Sequence, residues 1–95
     1  ARDCREVLAE NAEPSALQPR IGASLCALPD AGLSHGDMKA SNVLIDGEGR
    51  VVLIDLDAMR CQTRPERLHS AAAEDRRRFL ANWDDAELRA GFGLD

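Results

Sequence analysis

The sequence predicts one small α+β domain, mainly helical, with a single β-hairpin near its middle. Three observations predict it. Two β-branched apolar runs, Val43-Leu44-Ile45 and Val51-Val52-Leu53-Ile54, flank Asp46-Gly47-Glu48-Gly49-Arg50, whose Asp-Gly step and second glycine suit a tight reversal. Apolar residues recur at helical spacing on both sides of that hairpin: Ile21, Leu25 and Leu28 before it, and Leu68, Ala72, Phe79, Leu80 and Trp83 after it. The 95 residues are 44% apolar and 31% charged, the balance of a chain that packs a core, and they suffice for one domain at most.

The elements follow in order. Val7, Leu8 and Ala9 stand among charges within residues 1–13, enough for a short helix. Pro14 and Pro19 interrupt the pattern, and a helix over about residues 15–28 is expected to end at Pro29 and Gly32. A polar loop over residues 33–42 leads into the hairpin, residues 43–54. Pro65 suits the first turn of a helix running from about 66 to 82, with Phe79 and Trp83 in the core. Asp84, three residues before Glu87, resembles a capping box for a last short helix that Gly91 stops.

Composition narrows the class. A net charge of −5, from 17 acids and 12 bases, argues against a nucleic-acid binder with a broad basic surface. Cys4, Cys26 and Cys61 are odd in number and form no C-x-x-C pair, so they read as reduced thiols of a cytosolic protein rather than a disulfide framework or a zinc site. No apolar run approaches the ~18 residues that span a bilayer, and the first residues lack the pattern of a signal peptide.

The chemistry is concentrated in one stretch. His35, Asp37, Lys39 and Asn42 share the polar loop, and Asp55 follows the hairpin. A hairpin brings its outer ends together, so Asn42 and Asp55 should emerge side by side. Phosphoryl transfer asks for a group that orients the acceptor hydroxyl, metal ions on the nucleotide phosphates, and positive charge near the moving phosphoryl group. Asp37 suits the first role and Lys39 the last. Asn42 and Asp55 offer the hard oxygens that Mg²⁺ prefers. Asp57 reads as a second metal ligand or as a cap, His35 as the residue that holds the loop, and Arg76 to Arg78 as a solvated helix face or, alternatively, a phosphate or lipid-headgroup site.

His35-Gly36-Asp37-Met38-Lys39-Ala40-Ser41-Asn42 resembles the catalytic loop of the protein-kinase-like fold, and Ile54-Asp55-Leu56-Asp57 resembles its metal-binding motif. The spacings, five residues from Asp37 to Asn42 and thirteen from Asn42 to Asp55, agree with that family. Gly36 stands where regulated protein kinases carry Arg, and Leu56-Asp57 replaces their Phe-Gly. With the segment Asp75 to Trp83, the sequence is most similar to the bacterial lipopolysaccharide core kinases, the heptose and Kdo group, over about residues 20–92.

The resemblance implies the C-terminal lobe of a kinase-like fold: residues 1–95 as a partial domain, with catalytic loop 33–42, hairpin 43–54, metal motif 55–57 and helices over 66–92. It implies ATP and Mg²⁺ as cofactors, Asp37 and Lys39 as catalytic residues, Asn42 and Asp55 on the nucleotide, and Asn42, Asp55 and Asp57 on the metal. By the same analogy Asp75 braces the loop. The implied acceptor is a hydroxyl of a lipopolysaccharide inner-core sugar, met in the cytoplasm, with a peripheral contact at the inner membrane. No Gly-rich strand turn and no strand Lys with a helix Glu partner precede the loop, so the expectation is a catalytic half that is inactive without a missing N-terminal lobe. Two rival readings stand beside it: a non-catalytic or degenerate interaction module, and a haloacid-dehalogenase-type phosphatase with Asp55 as nucleophile. Met59 and the short remaining chain argue against the second.

Overall fold

The computed structural model describes residues 1–10 and 14–94. Its elements are β1 (Arg2–Asp3), α1 (Cys4–Glu10), α2 (Pro14–Asp30), β2 (Leu33–Ser34), β3 (Val43–Ile45), β4 (Val51–Leu53), β5 (Arg60–Cys61), α3 (Pro65–Leu80) and α4 (Ala86–Ala90), with 3₁₀ turns at Ala40–Asn42 and Leu56–Ala58. This is the expected α+β fold.

The hairpin forms as expected, with Val43 opposite Leu53 and Ile45 opposite Val51. Its turn is closed by Asp46, whose carboxylate accepts from the backbone N–H of Glu48 and of Arg50, both at 2.9 Å. The strand β4 stops at Leu53, one residue short of the expected end. Two pairings extend the picture beyond one hairpin. β1 adds to the free edge of β3, Arg2 opposite Ile45, and β2 pairs antiparallel with β5, Leu33 opposite Cys61.

The short N-terminal helix forms as α1, Cys4–Glu10, and residues 11–13 lie outside the described residues. Asp3 starts it by accepting the Arg5 backbone N–H at 2.8 Å, and the hydrogen bond from the Arg5 side chain holds the Asp3 carboxyl below the usual carboxylate range. Cys4 is fully buried, burial pushes its thiol up to about 12, and Sγ donates to the Ala40 carbonyl at 3.6 Å. That contact ties α1 to the end of the polar loop.

α2 runs through Pro19 instead of being interrupted there. Pro19 lies on the exposed side, while Leu17, Ile21 and Leu25 form a buried row at four-residue spacing. Burying three such side chains contributes roughly 5 kcal/mol, which outweighs the ~3 kcal/mol that a mid-helix proline costs. Gly22, on the same face, has no room for a side chain: a Cβ there would overlap the Phe92 carbonyl, so this glycine lets the C-terminal segment lie directly on α2.

α3 begins at Pro65 and ends at Leu80, two residues before the expected limit, where Asn82 Nδ2 donates to the Phe79 carbonyl at 2.8 Å. It buries Ala72, Asp75 and Phe79. Phe79, Trp83 and Phe92 form an aromatic cluster with ring centroids 4.8 to 5.1 Å apart. The cap of α4 differs from the expectation: Asp85, not Asp84, is the N-cap, and its Oδ1 accepts from the N–H of Glu87 at 2.8 Å and of Leu88 at 3.2 Å. Two consecutive aspartates compete, and Asp85 is the one placed to reach the second and third helical amides. Gly91 ends α4 as expected. No described helix is long and apolar enough to cross a membrane.

Candidate functional site: a clamped loop beside the hairpin ends

The polar loop is held from three sides. From α3, the buried Asp75 carboxylate accepts two successive loop amides, His35 N–H on Oδ2 at 2.8 Å and Gly36 N–H on Oδ1 at 3.0 Å. From within, His35 is fully buried; its Nδ1 accepts the Asp37 N–H at 3.1 Å, which leaves the ring proton on Nε2, 3.0 Å from the Ile54 carbonyl. One imidazole thus links the residue that precedes Asp55 to the backbone of Asp37. From the far end, Asn42 Nδ2 donates to the Asp37 carbonyl at 2.8 Å. The β2–β5 pair and a Gln62 N–H to Gly32 carbonyl bond at 2.8 Å close the frame below.

Gly36 explains its own identity. Its φ is +88°, and a Cβ would sit 2.6 Å from the Ala58 carbonyl oxygen. The loop passes so close to the segment after Asp55 that an arginine at this position has no place.

On that frame the site residues are distributed as follows. Asp37 is partly exposed, with Lys39 Nζ 3.8 Å from its Oδ2 and Arg78 Nε 3.9 Å from its Oδ1. Asn42 is buried, and its carbonyl accepts the Ile54 N–H at 3.0 Å, one residue before Asp55. The ends of the hairpin therefore stand side by side. Asp55 is exposed and adopts φ +58°, the only non-glycine described with positive φ; Asp tolerates the left-handed region better than most residues, yet such backbone costs about 1 kcal/mol. Asp57 is exposed in the 3₁₀ turn that follows.

The donor set suits a hard cation. No described donor engages the Asn42 Oδ1 oxygen or the carboxylates of Asp55 and Asp57, and no enclosed described side-chain nitrogen or oxygen lacks a partner, so these oxygens open to solvent. Among the described residues no three His, Cys, Asp or Glu side chains form a cage. Mg²⁺ on a nucleotide needs no such cage, because phosphate oxygens and water complete its shell.

Arg76, Arg77 and Arg78, one cluster in sequence, separate in space. Arg77 is paired with Glu74, its Nε 3.0 Å from Oε2; Arg76 is half-buried beside Met38 and Asp75; Arg78 turns to Asp37. Arg77 and Arg78 are exposed, as a solvated face has them, and Arg78 in addition lies near Asp37.

A loop, hairpin and donor set of this kind suit phosphotransferase chemistry, and comparison with known proteins puts the chain in that class. The sequence matches the phosphotransferase enzyme family over residues 2–95, and the chain belongs to that family. It is similar to 3-deoxy-D-manno-octulosonic acid kinases. One from Vibrio parahaemolyticus is 36% identical over 62 residues, 65% of this chain and 26% of that protein. One from Vibrio cholerae is 35% identical over 57 residues, 60% of this chain and 24% of that protein. The chain thus spans about a quarter of the length of these curated relatives.

Proposed function

We propose that this chain is the catalytic-loop lobe of an ATP-dependent, Mg²⁺-requiring kinase that phosphorylates a hydroxyl of an acidic sugar of the lipopolysaccharide inner core. The observation that carries the reading is the double clamp of Asp75 and His35, which fixes Asp37 and the start of the metal motif in one frame. A loop held this firmly at buried polar expense serves positioning, and positioning with charge is most of what phosphoryl transfer requires. The octulosonic acid named for the relatives supports a sugar acid as acceptor.

In this reading Asp37 orients the acceptor hydroxyl and takes its proton, while Lys39 neutralises charge on the transferred phosphoryl group. Asn42 and Asp55 hold Mg²⁺, with Asp57 as a further oxygen donor, and the bound ion supplies charge neutralisation on the nucleotide phosphates. Val52, Ile54 and Leu56 are exposed apolar side chains on either side of Asp55, on which the nucleotide-gripping part of a longer chain can rest. The protein meets its acceptor in the cytoplasm, at the inner-membrane surface. Membership of the phosphotransferase enzyme family speaks against the phosphatase alternative.

The test is direct. The intact protein, given ATP, Mg²⁺ and 3-deoxy-D-manno-octulosonic acid, is expected to yield a sugar product heavier by one phosphate. Transfer to no core sugar, acidic or neutral, would overturn the reading and favour an interaction module.

A further inference from the structure

We infer that Arg78 is a specificity residue for the acceptor: its guanidinium receives the carboxylate of the sugar acid while Asp37 receives the hydroxyl to be phosphorylated. The inference rests on the functional reading above and adds a residue that the sequence placed on a solvated face.

Three observations carry it. Asp37 is flanked by cations on both oxygens, Lys39 at 3.8 Å and Arg78 at 3.9 Å, distances too long for hydrogen bonds. The carboxylate is therefore approached without being consumed, and an acceptor group has room beside each oxygen. Second, the Nη groups of Arg78 meet no described acceptor, and the side chain is 51% exposed, whereas the neighbouring Arg77 is committed to Glu74. Third, the two cations stand at different oxygens of Asp37, so an acceptor hydroxyl seated on Oδ1 has the Arg78 guanidinium beside it and Lys39 on the other side.

The two cations differ in kind. An ammonium is a compact point charge suited to phosphate, and a guanidinium is a planar fork that matches a carboxylate with two parallel hydrogen bonds. A hydroxyl oxygen in hydrogen-bonding contact with Asp37 Oδ1 lies on the Arg78 side of the loop. A carboxylate elsewhere on the same sugar then has one free fork within reach.

The experiment compares 3-deoxy-D-manno-octulosonic acid with its carboxamide as acceptors for the intact protein at saturating ATP and Mg²⁺. Wild type is expected to favour the acid in kcat/KM by about 10- to 100-fold, the worth of a hydrogen bond to a charged group. Arg78→Gln should raise KM for the acid by a similar factor, with a smaller change in kcat, and should abolish the preference for acid over amide. Arg78→Lys should restore part of that preference, and Arg77→Gln should keep all of it. An Arg78→Gln variant that retains the preference, or that loses kcat equally on both acceptors, overturns the inference while the kinase reading stands. A wild-type protein that phosphorylates only neutral sugars removes the inference and the acidic acceptor, while the phosphate transfer itself stands.

Discussion

Replacing Asp75 tests how the loop is held. Its carboxylate is 6% exposed and accepts the His35 and Gly36 amides at 2.8 and 3.0 Å. Each hydrogen bond to a charged acceptor contributes about 1.5–3 kcal/mol, while burial of the carboxylate itself costs part of that sum. Asp75→Ala should therefore destabilise the fold by about 3 kcal/mol, a drop in Tm of roughly 12–24 °C for a domain this size. Asp75→Asn keeps one acceptor oxygen and turns an NH₂ group toward the other amide, so it should lose about half as much. Trp83, the single tryptophan, packs in the aromatic cluster with Phe79 and Phe92 and reports unfolding in urea by its fluorescence. Both variants within ~0.5 kcal/mol of wild type, the range of an ordinary surface substitution, would refute the brace.

Gly36→Ala should destabilise by about 2 kcal/mol or more, since φ +88° and the Ala58 carbonyl both oppose a Cβ, and it should slow phosphate transfer with the loop displaced; an unfolding midpoint equal to wild type would show that the loop relaxes freely. The carboxylate contribution to stability should be lost as pH falls from about 5 to below about 4. Hydrogen bonds from Arg5, Arg2 and Arg77 hold Asp3, Glu10 and Glu74 below their ordinary values of 3.8 for Asp and 4.5 for Glu, and backbone N–H donation from Arg50 does the same for Asp46. The stabilisation from a depressed carboxylate is complete above its unfolded value and is lost as pH falls through the folded one. Urea midpoints across that range, at low and high salt, give the check: no acid loss, or a loss that salt enlarges, contradicts the assignment.

Much of the site was legible because it is written locally. The hairpin runs carry a β-branched pattern and an Asp-Gly turn, and antiparallel pairing alone brings Asn42 beside the residue preceding Asp55. The loop residues fall within eight positions, His35 to Asn42, so their proximity needs no tertiary knowledge. What sequence missed is contact between distant segments. β1, β2 and β5 have two residues each, too few for a period, and their pairing depends on where α2 and α3 deliver the chain. Phe92 joins the core only because Gly22 allows its backbone onto α2. The approach of the exposed Arg78 to Asp37 is hidden in a run of three arginines, because on a helix three consecutive residues face three directions. A helical wheel that placed Asp75 and Phe79 on the buried face would have set Arg78, three residues beyond Asp75, near the same edge.

In the proposed function one clamped frame presents Asp37 as base and Asn42 with Asp55 as a metal-binding end, two separate working parts. Isothermal titration of Mg²⁺-ATP alongside turnover, on intact Asp37→Asn and Asp55→Asn variants, separates the two. The account predicts that Asp37→Asn binds nucleotide as wild type does but loses turnover at least ~100-fold, whereas Asp55→Asn, which retains tolerance for the left-handed backbone, loses Mg²⁺-dependent binding. Undiminished turnover in Asp37→Asn, or unchanged nucleotide binding in Asp55→Asn, would contradict it.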